Sequence, residues 1–394
     1  MIDARWQTAK NILCVRLDTI GDVLMTTPAI RALKTSVKGR RITLLTSASG
    51  AEVARLVPEI DDVIIYDAPW MKSTEPRTNS APDLQMIERL RGYHFDGALI
   101  FTVFSQNPLP SAMMCYLADI PLRLAHCHEN PYQLLTNWVI DWETLKVSDA
   151  NQITRNSLPK PLGSEFGIRH EVQRQLDLVA TIGARTYDDR LSLRVTQAAH
   201  ERVLEILSDL GLDIARPWVV IHPGASAESR RYAPEGFARV AQQLVATRGA
   251  QVVFTGAASE CKLIERIQKQ SGVQTFSLGG KLDLVQLAAV IEFAPLIITN
   301  NTGPAHIAAA VGTPIVDLYA LTNPQHTPWR VPHRVLSHDV PCKYCFKSIC
   351  PEGHHNCLAL VTPDEIIQAV DELWNAHAGF LISQTISEPI QEFE

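Results

Sequence analysis

Apolar and polar positions along the chain fall into a repeated strand-then-helix rhythm. In the first half, short apolar runs rich in β-branched residues recur as ILCVRL, RITLLT, DVIIYD and GALIFTV. Each reads as a strand. Helical periods lie between them, for example from Pro28 to Lys38 and from Ala51 to Leu56. The stretch from Asp67 to Pro82 is rich in Pro, Ser and Thr and reads as a loop. From Asn130 to Gly167 the pattern is irregular and contains Trp138 and Trp142, an insertion that could shape a pocket. A second series starts near Pro217 with WVVIHPG, QVVFTG, TFSLGG, LIITNNTG and PIVDLYAL, alternating with helical stretches such as EGFARVAQQLVATRG and DLVQLAAVI. Two βα series predict an α/β chain of two doubly wound, Rossmann-like domains. The boundary is expected between Leu193 and Arg216, giving domains over 1–200 and 201–378. PDEIIQAVDELW reads as the closing helix. The tail, 379–394, has no clear period and is expected to be mobile.

Composition narrows the class. At 394 residues the chain exceeds one ordinary core. Hydrophobic residues make up 46% and charged residues 20%, as in a soluble globular protein. The formal net charge is −6, from 36 basic and 42 acidic residues, which offers nothing to nucleic acid. No apolar run reaches bilayer length, and MIDARWQTAK lacks a signal-peptide core, so a cytoplasmic location is expected. Eight cysteines in so long a chain do not form a disulfide scaffold.

In open α/β sheets ligands bind at the carboxyl ends of strands. Those ends read RLDTIGD, HPGAS, FTGAASE, SLGGKLD, NNTGPAH and YALTNPQH. In NNTGPAH, Pro304 suits a first helical position. Thr302 or Asn301 can cap, and Gly303 allows close backbone approach. The free N–H groups and the helix dipole would favour a diphosphate, although any capped helix start offers the same groups. In HPGASAESRR, Gly224, Ser226 and Arg230/Arg231 could hold phosphate oxygens, or form a solvated loop. Glu260, four residues past Gly256, could accept from ribose hydroxyls or sit in a helix's first turn. No GxGxxG follows the first strand and no GxxxxGK[ST] occurs, which argues against dinucleotide oxidoreductases and P-loop NTPases.

Two further features stand out. No Asp or Glu occurs from Val23 to Ala51, while Arg31, Lys34, Lys38, Arg40 and Arg41 do. Arg31, Lys34 and Lys38 share a helix face. That face could serve acceptor phosphates or acid sugars, could touch the anionic inner membrane leaflet, or could simply be solvated. The run CKYCFKSICPEGHHNC carries Cys342, Cys345, Cys350 and Cys357. Four thiolates with a Cys-x2-Cys half-site could close a structural zinc site. Disulfides fit a reducing cytoplasm poorly, and reduced thiols in a packed loop are the third option.

Taken in order, RLDTIGDVLMTTPAIRALK, HPGAS…RRYAPEGFARVAQQL, FTGAASE and NNTGPAHIAAAVGTP resemble glycosyltransferase family 9, the ADP-heptose:lipopolysaccharide heptosyltransferases and their relatives. The cysteine run is similar to a segment of the heptosyltransferase II branch, and the resemblance spans roughly Asn11 to Trp374. It implies a GT-B fold with two Rossmann-like domains facing across a cleft, the N-terminal one binding the acceptor and the C-terminal one the nucleotide sugar. It implies inversion at the anomeric carbon without a catalytic metal or cofactor. By the same resemblance Asp22 matches the catalytic base and Arg230 replaces a phosphate-binding Lys. Glu260 matches a ribose contact, Leu282 an adenine-pocket position, and Thr302, Gly303 and His306 the diphosphate and sugar contacts. Asn301 stands where the family often has an Asp that touches the donor sugar, which removes a charge there.

The expected reaction is transfer of heptose from ADP-heptose to a lipopolysaccharide core acceptor. Another nucleotide sugar for a different surface glycan, or a catalytically silent binding protein, are the alternatives. An inverting transfer needs a base on the acceptor side and charge stabilisation on the leaving-group side. Asp22 would supply the first, with Asp18 as runner-up base or turn cap.

Overall fold

The computed structural model describes residues 3–72, 74–140 and 169–387, with side chains to 376. Most of the irregular stretch expected to shape a pocket therefore lies outside the described residues, as does 388–394. The chain divides into two compact units, Met1–Arg194 and Val195–Glu394.

The first unit is a parallel sheet of β1 (Asn11–Arg16), β2 (Arg41–Thr46), β3 (Asp62–Ile65), β4 (Gly97–Ile100), β5 (Leu122–His126) and β6 (Asn137–Val139), in the order β3-β2-β1-β4-β5-β6. Its helices are α1 (Ile20–Ser36), α2 (Ala48–Ala54), α3 (Ala81–Gly92), α4 (Leu109–Leu117) and α5 (Glu171–Ala180). β1, β2 and β4 are buried nearly throughout, which explains why they read as unbroken apolar runs. Strand order reverses between β1 and β4, so the switch point of this sheet lies at their carboxyl ends.

The helix expected from Pro28 begins eight residues earlier, at Ile20, with Pro28 inside it. A proline there leaves the carbonyl of Leu24 without its helical donor. The Thr27 hydroxyl takes that place, donating to Leu24 O at 2.7 Å. The capping box of Thr19 and Asp22 sets the true start. Asp22 is thus the third residue of a helix, not part of an open turn.

The second unit repeats the architecture. Its strands are β7 (Trp218–His222), β8 (Gln251–Phe254), β9 (Phe276–Ser277), β10 (Ile297–Asn300), β11 (Ile315–Leu318) and β12 (His333–Leu336). The order is β12-β11-β10-β7-β8-β9, with all pairs parallel. The helices are α6 (Gln197–Asp209), α7 (Pro234–Arg248), α8 (Cys261–Ser271), α9 (Leu284–Phe293), α10 (Gly303–Val311), α11 (Asn356–Ala359) and α12 (Pro363–Ser387). One core joins the strands to α7 and α12 through Phe237, Leu244, Phe254, Leu318, Ile366 and Val370. The closing helix α12 runs on to Ser387, into the stretch after Ala378 that was expected to be mobile. Here the switch point falls between β7 and β10. Among the described residues no helix is long and apolar enough to cross a membrane.

Trp6 anchors the N-terminal turn. It is 1% exposed and its Nε1 donates to Asn137 Oδ1 at 2.9 Å. Its ring lies against Gly97 so closely that a Cβ there would stand 2.7 Å from Cζ3. Gly97→Ala is therefore expected to lower stability by about 1–3 kcal/mol. Gly92→Ala, at the end of α3 with nothing within 4 Å of the new methyl, should hold stability or raise it by up to about 1 kcal/mol. Urea unfolding of the two variants checks the contrast.

Candidate active site

In the first unit the chemistry gathers on Arg16, the last residue of β1, whose side chain is fully buried. A buried guanidinium must be paired, and three carboxylates surround this one. Nη2 donates to Asp22 Oδ1 at 3.1 Å, and Nη1 donates to Glu171 Oε1 at 2.9 Å. Nε lies 3.1 Å from Asp18 Oδ2, an ion contact without hydrogen-bond alignment. The other Asp22 oxygen, Oδ2, accepts from the Thr19 amide at 3.2 Å and the Thr19 hydroxyl at 2.9 Å. Asp22 is held by both oxygens, yet its side chain keeps 15% exposure. Glu171 is wholly buried and is braced by Gln175 Nε2 at 2.7 Å and Arg174 Nη1 at 3.4 Å. Burial pushes the Asp18 carboxyl up to about 6; Arg16 opposes the shift, Asp22 adds to it, and a bond from Gln106 Nε2 at 2.6 Å opposes it.

A cavity of about 350 Å³ opens beside this cluster, at the carboxyl ends of β1 and β4. Leu17, Trp70, Met71 and Phe101 supply apolar walls, and Gln106 and Asn107 supply amides. Gln106 thus links the cavity to Asp18. Sequence reasoning singled out Asp18 and Asp22 but not Arg16, Glu171, Trp70 or Gln106. The switch-point rule could have flagged the β4 loop. Nothing local marks Glu171, 155 residues from its partner.

The basic face of α1 does not stand open. Arg31 Nε donates to Glu59 at 2.8 Å, and its Nη1 reaches the carbonyls of Asp188 and Arg190 at 2.9 and 2.8 Å. Lys34 pairs with Asp61 at 2.5 Å. Arg40 is buried and donates to the carbonyls of Trp6, Ala9 and Leu33. Only Lys38 and Arg41 of the set are exposed. The acids that neutralise the face come from outside the acid-free segment, which is why composition alone suggested a patch.

In the second unit the loops after β7 and β10 form the switch point. Asn300 joins them: its Nδ2 donates to Pro223 O at 2.8 Å and its Oδ1 accepts from the Tyr232 amide at 3.0 Å. A cavity of about 690 Å³, large enough for a nucleotide-sized ligand, is lined by Gly224, Ser226, Arg231, Tyr232, Ser259 and Glu260 among others. Glu260 caps the turn before α8, its Oε2 accepting from Ala257 N at 2.8 Å. Its carboxylate packs flat on Gly224, where a Cβ would come within 1.8 Å of Oε1. His222 lies behind it, Nε2 at 3.7 Å from Glu260 Oε2 and Nδ1 at 3.1 Å from Thr255 Oγ1. Burial pushes His222 down to about 4 against the pull of Glu260, so the imidazole is neutral at pH 7 and its approach to Glu260 is not an ion pair.

Arg231 braces the loop by donating from Nε to Ala225 O at 2.8 Å. Arg230 is half-buried, and its charge acts on Asp317 and Tyr319. Thr302 occupies the N-cap of α10 without a side-chain capping bond. Asn301 turns inward, so neither residue caps, and N–H groups at the helix start keep their capacity for an anion. His306 is buried in the first turns of α10, and Leu282 is half-buried just before α9. The structure thus gathers Ser226 and Glu260 around one cavity, and Asn301, Thr302, Gly303 and His306 around one helix start. Leu282 lines neither.

The cysteine run, open to a zinc site, disulfides or reduced thiols, carries no disulfide. All four cysteines of the 342–357 loop are free thiols, and among the described residues no three His, Cys, Asp or Glu side chains are placed to hold a metal ion. Cys342 Sγ lies 3.8 Å from His354 Nε2, a separation that two ligands of one tetrahedral zinc can have, but no third side chain among the described residues is placed to join them. Backbone bonds hold the loop instead: Tyr344 N to Leu321 O at 2.7 Å, Phe346 N to Thr322 O at 2.8 Å, and His338 N to Cys357 O at 3.0 Å.

The family model "Glycosyltransferase family 9 (heptosyltransferase)" matches residues 84–356. Lipopolysaccharide heptosyltransferase 2 of Salmonella typhimurium is 24% identical over 92% of this chain and 98% of its own length. Lipooligosaccharide heptosyltransferase 2 of Campylobacter jejuni is 31% identical over 40% of this chain, and that match spans about half, 51%, of the relative. The solved structure of Escherichia coli ADP-heptose LPS heptosyltransferase II has a TM-score of 0.69 at 22% identity, covering 93% of this chain and 99% of the other. That likeness shows the fold, and the two parallel, doubly wound units are those of GT-B proteins. With the family model matched over more than half of its length, the chain belongs to glycosyltransferase family 9, the heptosyltransferase family.

Proposed function

We propose that this chain moves heptose from ADP-heptose to a hydroxyl of a lipopolysaccharide core acceptor, with inversion and with Asp22 as base. The observation that carries the reading is the Arg16 cluster, which holds Asp22 by both oxygens at the carboxyl edge of β1 and still leaves it partly exposed. Membership of the family and the names of its relatives support heptose as the sugar and lipopolysaccharide as the acceptor.

In this mechanism the acceptor hydroxyl attacks the anomeric carbon on the side opposite the diphosphate. The new C–O bond forms as the bond to the phosphate oxygen breaks, and ADP leaves with that electron pair. Asp22 accepts the hydroxyl proton. Because the hydroxyl acidifies as it bonds to an oxocarbenium-like carbon, a carboxylate held by a cation and a helix N-terminus is basic enough. The N–H groups at the start of α10 and the Arg230 guanidinium take the charge growing on the diphosphate, a role that a divalent metal plays elsewhere. Glu260 accepts from ribose hydroxyls in the 690 Å³ cavity. The cavity beside Asp18, with Trp70 as an apolar platform and Gln106 and Asn107 as hydrogen-bonding groups, takes an acceptor sugar. Burial makes Asp18 keep a proton more readily than a free aspartate.

Four outcomes follow. Asp22→Asn should lower turnover by about 10²–10⁴-fold while calorimetry shows donor binding retained; unchanged turnover would remove Asp22 as the base. Running the same calorimetry with ADP-, UDP- and GDP-sugars checks the donor, and tighter binding of another nucleotide overturns ADP-heptose.

Asp18→Asn tests the proton. The folded carboxyl titrates near 6 against 3.8 for a free one. The folded state therefore binds the proton more tightly, and stability falls as pH rises from about 4 to about 6, then levels. The Asn variant lacks that loss, so its stability relative to wild type should rise across the same window by up to about 3 kcal/mol. Thermal midpoints at pH 4, 6 and 8 measure it, and a pH-independent gap contradicts it.

Lys34→Glu addresses the α1 face. It sets a carboxylate against Asp61, so a loss of roughly 0.5–1 kcal/mol is expected with acceptor KM and its salt dependence unchanged. A raised acceptor KM would return α1 to the acceptor site.

A further inference from the structure

Asp317 is a carboxylate in the middle of a parallel sheet. It lies on β11, opposite Thr299 of β10, and has no exposure. Its strand neighbours Val316 and Leu318 enter the hydrophobic core. A charge at such a position needs a partner, and it has little: Oδ2 accepts from Asn301 Nδ2 at 3.1 Å, while Oδ1 is buried with no hydrogen bond. Neither the family match nor the mechanism above gives this residue a task.

Asn301 is held from the other side as well. Its Nδ2 donates to the carbonyl of His326 at 2.9 Å. A carbonyl can only accept, so the amide cannot be flipped. Both N–H bonds are then spent, one on Asp317 and one on His326. Oδ1 points away from both, and among the described residues no hydrogen bond to it is made. Asn301 immediately precedes Thr302, the N-cap of α10. What position 301 offers at the helix start is therefore an acceptor without charge.

We propose that Asp317 is a positioning residue: it fixes the Asn301 amide so that the carbonyl oxygen receives a hydroxyl of the transferred sugar, and its presence requires position 301 to be neutral. The proposal rests on the second unit being the nucleotide-sugar site. An oriented acceptor selects a hydroxyl and disfavours a phosphate oxygen, and because the ribose hydroxyls are assigned to Glu260 in the other cavity, the contact at 301 is assigned to the transferred sugar. The exclusion of charge has a separate cause. A carboxylate at 301 would stand within hydrogen-bond distance of Asp317 in a buried site, and one of the two would have to hold a proton. The groups that face Asp317 are Asn301, the cation Arg230 and Tyr319, with Tyr344 beyond Tyr319. Burial already pushes Asp317 up to about 7 against the Asn301 bond and Arg230, so the pocket has no capacity for a second negative charge.

The test uses the full chain with four changes: Asn301→Asp, Asp317→Asn, the exchange of both, and Asp317→Val. Thermal midpoints between pH 6 and 9 read the pairing. Asn301→Asp should lose stability progressively as pH rises past 7, because its second carboxylate titrates above wild type. The double exchange, again one acid and one amide, should return to the wild-type profile. Equal profiles for Asn301→Asp and the double exchange overturn the pairing. Calorimetry with ADP and with ADP-heptose reads the positioning. Asp317→Val should weaken ADP-heptose by about five- to ten-fold and leave ADP as in wild type. Asp317→Asn, which keeps the acceptor for Nδ2, should lose less. Equal weakening of both ligands, or of neither, overturns the sugar contact. Wild-type protein that binds no ADP-heptose defeats the proposed function and the sugar contact together, while the pH profiles still decide the pairing.

Discussion

The first unit depends on burying Arg16. A guanidinium at the end of β1 with no access to water is tolerable only if its donors meet acceptors and its charge meets opposite charge. The acceptors come from three elements: Asp18 from the turn, Asp22 from α1 and Glu171 from α5. The cation therefore fixes the place where strand, turn and two helices converge. It also sets three carboxylates within reach of one another, an arrangement that would repel itself without Arg16 and the support of Arg174. The cluster gives each acid at this strand end a separate task. One acid caps the helix and stays partly exposed, one is buried and holds its proton more readily, and a third from far along the chain completes the cation's partners.

The second unit solves the corresponding problem with neutral groups. Asn300 ties the loops after β7 and β10 through carbonyl and amide contacts. His222 is kept neutral by burial behind Glu260. Gly224 lacks the methyl group that would collide with that carboxylate. The start of α10 has neither the Thr302 nor the Asn301 side chain as a cap, because Asn301 is engaged by Asp317 and His326. A helix N-terminus without a side-chain cap costs some stability and keeps its donors for an anion. The two halves of the chain thus carry complementary chemistry, a carboxylate-rich edge in one and an anion-favouring edge in the other.

Much of this was legible along the chain, and for identifiable reasons. The central strands, buried on both faces, must be continuous apolar runs, so ILCVRL, WVVIHPG and LIITNNTG announce themselves. The carboxyl-end rule then points to Asp18, Asp22, Gly224, Glu260 and the NNTGPAH turn, because in a parallel doubly wound sheet the strand ends are the only places where such residues can meet a ligand. A proline usually opens a helix, so the period alone starts α1 at Pro28; only the Thr27 hydroxyl, donating to the carbonyl that Pro28 cannot serve, shows how the helix passes through it.

What the sequence by itself determined was the two-unit α/β architecture and the positions of the strand ends, since hydrophobic period and the succession of elements along the chain are local or nearly local properties. What only the tertiary structure decided was the state of the charges. Whether Arg31 and Lys34 are free or neutralised depends on Glu59, Asp61 and Asp188. Arg16 with Glu171 and Asn301 with Asp317 are pairs whose members lie on different elements. Electrostatic energy depends on distance and burial in space, and neither quantity is written in the order of residues along a chain.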